Sequence, residues 1–155
     1  MNAMFEKAVA GKKNGLETAF ATGQAYYEFY KRHPKFFQMF LEAENLPESE
    51  LAGLLRKGDT NATEFMKVNR ENFETVFKAV VAGIKDGSIK PDLDPMLTSV
   101  FLIQSTKAMI HLPTGFEALL KQAGADKDAT LKFTLQALAS SLQRTQIEKT
   151  GGPEK

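Results

Sequence analysis

Leu16, Phe20, Gly23, Tyr27 and Tyr30 stand four, three, four and three residues apart, and this rhythm constrains the chain more than any other feature it carries. Apolar residues at such steps return to one face of an α-helix, whereas a half-buried strand alternates with a period of two. No stretch of the 155 residues alternates convincingly. The expected fold class is therefore all-α, a helical bundle.

Punctuation residues divide the helical pattern. A short opening helix, residues 3–10, ends in GKKNG, where two glycines and an asparagine break the rhythm. The aromatic stripe that follows stops before Pro34, because proline disfavours helical geometry in the residue ahead of it but fits the first turn of a new helix. Phe36, Phe37, Met39, Phe40 and Leu41 then belong to a second, shorter helix, and the acidic EAENLPESE at 42–50 reads as a solvated connection. The longest helix is expected over 61–86, with Phe65, Val68, Asn72, Val76, Val80 and Ile84 near one face and Phe73 and Phe77 widening it. Gly87 suits its left-handed cap, and Asp94 suits the N-cap of the next helix ahead of Pro95. From 96 to 111 apolar residues go almost all round, so this helix needs cover on more than one side. After a short helical piece at 116–122, the last helix carries Leu131, Leu135, Leu138 and Leu142 as a seam, more suited to an intramolecular core than to a coiled coil. One domain is expected over 1–147, with a flexible tail at 148–155.

Several functions are disfavoured at once. The chain has no cysteine, which removes thiol catalysis and thiolate metal sites. Its two histidines lack the Glu three residues earlier that a di-iron bundle uses: Tyr30 precedes His33 and Ala108 precedes His111. No phosphate-binding or nucleophile-elbow motif occurs, so neither an enzyme nor a cofactor or metal site is expected. Twenty basic and nineteen acidic side chains leave a net charge of +1, against the basic surface of a nucleic-acid binder. No apolar run suits a membrane span or signal peptide, so the expected location is cytoplasmic. His111 either orients a ligand or donates to a backbone carbonyl at its helix end, the commoner role. His33, beside Lys31 and Arg32, reads as a solvent-accessible helix-end residue.

The block AYYEFYKRHPKFFQMF, residues 25–40, holds all three tyrosines and four of the twelve phenylalanines. Rings serve a core, but they also wall ligand pockets. Tyr26, Tyr27, Phe29 and Tyr30 lie on more than one face of their helix, so a single packing surface does not absorb them all. The bend at Pro34 turns the next rings back towards Phe65, Phe73 and Phe77, enclosing an apolar space between helices.

Taken in order, AYYEFYKRHPKFF, the long amphipathic helix closed by DGSIKPDLDP, the apolar helix and the leucine-rich one resemble the C-terminal domain of TetR-family transcription regulators, over roughly 4–144. The resemblance implies a small effector bound between the central helices and a homodimer held by the last two long helices as a four-helix bundle. The ligand walls would then come from Tyr26, Phe29, Tyr30, Phe36, Met39, Phe40, Phe65, Asn69, Phe73, Phe77, Phe101 and Gln104. The effector would be apolar or aromatic. The dimer would use Val100, Ile103, Lys107 and Ile110 on the first helix and Thr134, Ala137 and Ser141 on the second. The family's helix-turn-helix domain has no counterpart here, since residues 4–9 resemble its connecting helix, and no direct DNA binding by this chain is expected. The competing reading is a structural dimerisation module whose rings are all core.

Overall fold

The computed structural model describes residues 2–143, with side chains from Met4 onward; the tail expected at 148–155 lies outside them. Among the described residues there are eight helices: α1 (Asn2–Val9), α2 (Gly15–Arg32), α3 (Pro34–Glu44), α4 (Glu48–Arg56), α5 (Thr60–Asp86), α6 (Pro95–Ile110), α7 (Thr114–Gln122) and α8 (Lys127–Leu142). The class is all-α, as the spacing predicts. None of these helices is long and apolar enough to cross a membrane.

Helix starts follow from short polar side chains that satisfy otherwise unpaired backbone N–H groups. The carboxylates of Asp59, Asp94 and Asp126 accept from the N–H groups of Ala62, Leu97 and Ala129 at 2.8, 2.8 and 2.7 Å. Asn14 does the same for Glu17 at 2.8 Å. Pro34 and Pro95 occupy the first turns of α3 and α6, and Gly87, at φ 81°, closes α5 in the left-handed conformation. The stretch 42–50 departs from expectation. Its two acidic ends belong to α3 and α4, leaving only Asn45, Leu46 and Pro47 between them. Glu48 and Glu50 favour a helix start there by complementing its dipole.

The central helix is α2, which packs on α1, α3, α5, α6 and α8. One core cluster gathers Phe5, Tyr26, Tyr27, Phe29, Phe37, Ile110, Leu131 and Leu135. A second gathers Leu16, Val76, Val80, Ile89, Leu102, Leu138 and Leu142. The leucine seam of α8 is thus shared between both clusters, inside the chain. At the far end α2 meets α5 backbone to backbone: a Cβ on Gly15 would lie 2.0 Å from the Gly83 nitrogen. There the Asp86 carboxylate and the Ser88 hydroxyl accept from the N–H groups of Gly15 and Leu16 at 2.7 and 3.1 Å.

Candidate functional site

Three helices turn a stripe of the same spacing towards one space. From α2 come Ala19, Thr22, Gly23 and Tyr26; from α5, Asn69, Asn72, Phe73 and Val76; from α6, Val100, Ile103, Gln104 and Lys107. Each set runs i, i+3, i+4, i+7, which is one face of a helix over two turns. Phe40 and Glu44 of α3 and Phe5 of α1 border the same space, as do Leu102 and Thr106. The result is a cavity of about 280 Å³. α2 contributes two of its smallest residues to this lining, Ala19 and Gly23, and the Gly23 position faces Thr106 of α6 and Leu135 of α8.

Charge in the wall is self-compensated. Lys107 donates to the Glu44 carboxylate, both side chains being largely buried at 14% and 17% exposed, and no other lining residue is charged. The Lys107 ammonium also lies 5.9 Å from the Phe40 ring centre, a cation–π contact that keeps it at the wall. Tyr26 is 8% exposed, and its hydroxyl is sealed from water without a hydrogen-bond partner among the described residues. Burial first, and the Glu44 carboxylate second, push its pKa up, so it remains a neutral phenol. The hydroxyls of Thr22 and Thr106 are taken by carbonyls of their own helices, Ala19 at 2.6 Å and Leu102 at 2.9 Å. Chemically, this wall presents apolar surface, amides, one neutral phenol and one closed ion pair.

Of the residues expected to line a pocket, Tyr26, Phe40, Asn69, Phe73 and Gln104 meet here. The others are placed elsewhere. Phe29 is buried in the first core cluster, against Phe36 and His33. Tyr30 packs on Phe37 and His111. Phe36 and Met39 point outward from α3, at 54% and 67% exposed, because that helix turns Phe37 and Phe40 inward. Phe65 stands behind the wall against Phe40, and Phe77 stacks on Phe73 without bordering the space. Phe101 lies on the outer surface of α6. Among the expected dimer residues, Ile110 is 1% exposed within the core and so has no surface to give a partner. Ile103 and Lys107 border the cavity, Val100 borders it while remaining exposed, Thr134 is half-buried, and Ala137 and Ser141 are exposed.

Phe5 is a ring outside the 25–40 block, whereas Ala19, Thr22, Gly23, Asn72 and Val76 are site residues that ring content does not pick out. Their signal is the i, i+3, i+4, i+7 pattern mixing small, amide and apolar residues, which a pure core stripe lacks. Glu44 reads as solvated by sequence because its partner is 63 residues away. His111 is not the backbone donor its helix-end position suggests: its ring stacks on Phe37 at 5.0 Å, and its Nε2 is buried without a partner among the described residues. Comparison with protein-family models, with curated proteins and with solved structures finds no match to this chain. The TetR resemblance rests on the quoted motifs.

Proposed function

We propose that this chain is a small-molecule-binding and homodimerising domain of the TetR effector-domain type, acting as a sensor and not as an enzyme. The observation that carries the reading is the convergence of three equally spaced helical stripes on one apolar cavity with a few polar groups, the usual composition of a ligand site. The cavity also suggests the ligand class. An apolar cavity of about 150 Å³ accepts benzene, so about 280 Å³ suits a molecule of two fused rings. With Glu44 and Lys107 neutralising one another, the favoured ligand is uncharged, since a buried charge without a partner is costly. The amides of Asn69 and Gln104 then serve its polar atoms.

The dimer half of the proposal rests on α6, which exposes Met96, Leu97, Val100 and Phe101 to solvent as one apolar face. Exposed patches of this kind mark interfaces. In the TetR scheme occupancy would be relayed to separate DNA-reading domains; this chain itself is proposed not to bind duplex DNA.

The test is a thermal-shift screen with tetralin, 1-tetralone and 1-naphthoate, together with sedimentation of the free protein. A neutral two-ring compound at a hundredfold excess over its dissociation constant stabilises the fold by about 2.7 kcal/mol. The naphthoate anion is expected to bind more weakly than the ketone. If no compound moves the midpoint while the protein still dimerises, the rings are core and the structural-module reading replaces this one.

A further inference from the structure

Resting on the binding and dimer readings above, we infer that a second copy of this chain closes the mouth of the cavity, so that ligand occupancy and dimerisation strengthen one another. On α6 the cavity stripe and the exposed apolar face are not separate. Successive residues turn by about 100°, which places Val100 and Gln104 on adjacent positions one turn apart, between the buried side of the helix and its outermost strip. Both border the cavity, and both are exposed, Val100 at 43%. The space therefore reaches solvent through the face that also presents Leu97, 70% exposed, and Phe101, 52% exposed.

Charge argues that the occupant of this face is another copy of the same chain. From Pro95 to Ile110 the single charged side chain is Lys107, and it is held at the cavity wall by Glu44. A two-fold interface sets a patch against itself, so a charged patch would meet like charge, whereas a neutral apolar one is compatible with its own copy. A partner helix laid over Leu97 and Phe101 would also cover Val100 and Gln104. It would remove the mouth from water and supply the wall that a single chain lacks there. Because both ligand and partner favour this closed arrangement, their coupling is reciprocal.

Prodan, a neutral two-ring ketone whose emission shifts on leaving water, serves as the probe. Its affinity for the wild type is measured well below and well above the dimer dissociation constant, and for Phe101→Glu and Leu97→Glu, which put a carboxylate on the outer strip without touching the cavity lining. Circular dichroism checks that the variants are folded and sedimentation that they are monomeric. The expected result is about tenfold weaker prodan binding by monomer than by dimer, within the five- to 150-fold range of ordinary coupling, with dimerisation tightened about a hundredfold at saturating prodan because each dimer closes two sites. Equal affinity of monomer and dimer would overturn the inference while leaving the binding site standing. Absence of prodan binding in both states would remove the binding reading as well, and a wild type that stays monomeric at all accessible concentrations would remove the partner. Should both variants fail to fold, the dilution series on the wild type decides the matter alone.

Discussion

Replacing Gly15 with alanine sets a local rule against a tertiary contact. Gly15 opens α2, and inside a helix alanine is favoured over glycine by about 0.5–1 kcal/mol. Propensity alone therefore predicts a more stable protein. In the fold, a Cβ at this position would stand 2.0 Å from the Gly83 nitrogen, 2.4 Å from the Ala79 carbonyl oxygen and 2.4 Å from the Gly83 Cα. All three are backbone atoms, so no side chain can rotate away and α2 has to lift off α5. Overpacking of this kind costs about 1–3 kcal/mol. Lifting also lengthens the bonds from Gly15 to the Asp86 carboxylate and from Leu16 to the Ser88 hydroxyl, contributing about 1.5–3 kcal/mol for the charged acceptor and about 1 kcal/mol for the neutral one. Allowing for partial relaxation and for the propensity gain, Gly15→Ala is expected to lose about 2–5 kcal/mol, a large part of the roughly 5–15 kcal/mol that holds a domain together. Urea denaturation followed by far-UV circular dichroism measures it. Gly83→Ala should lose less, because its nearest obstacle is the Ile89 side chain at 2.6 Å. A Gly15→Ala midpoint at or above wild type with an unchanged m value would refute the close crossing.

Phe73→Ala, at the half-buried cavity wall, is expected to cost about 1–3 kcal/mol and to weaken prodan binding, whereas Phe37→Ala, deep in the core, should cost the roughly 3–5 kcal/mol of a filled site; paired denaturation curves compare them. Lys107→Met or Glu44→Met alone strands a largely buried charge and should cost about 2–4 kcal/mol, while the double substitution should fall within about 1 kcal/mol of wild type; a double-mutant cycle reads the difference. At Asp86 desolvation pushes the carboxyl pKa up, but hydrogen bonds from Ser88 and Gly15 together outweigh it and hold the value below the usual carboxylate range. A depressed folded value contributes stability that is present above the unfolded pKa of about 3.9 and is lost as the pH falls through the folded value. Unfolding midpoints measured from about pH 5 to pH 2 should therefore fall less steeply in Asp86→Asn than in wild type.

What the sequence by itself determined is local. Asp59, Asp94 and Asp126 start helices, Pro34 and Pro95 open them, and Gly87 ends one, because caps and turns involve groups only a few residues apart. The all-α class follows from the same short-range rhythm, and the α4 helix escaped it because its first turn lies in the acidic run read as a connection and its stripe, Leu51, Leu54 and Leu55, is only one turn long and buries no residue. Which stripe meets which was decided by the tertiary structure. A helical wheel shows that Tyr26 and Phe29 point in different directions, but not that the first borders the cavity, between the rings of Phe5 and Phe37, while the second packs on Phe36. Val100, Ile103 and Lys107 share a face whether that face meets a partner or a cavity. The choice depends on how closely α2 approaches α5, set where Gly15 meets Gly83, and on how α6 packs against them both. Those are distances between segments far apart in the chain, set by packing, and no periodicity within one helix contains them.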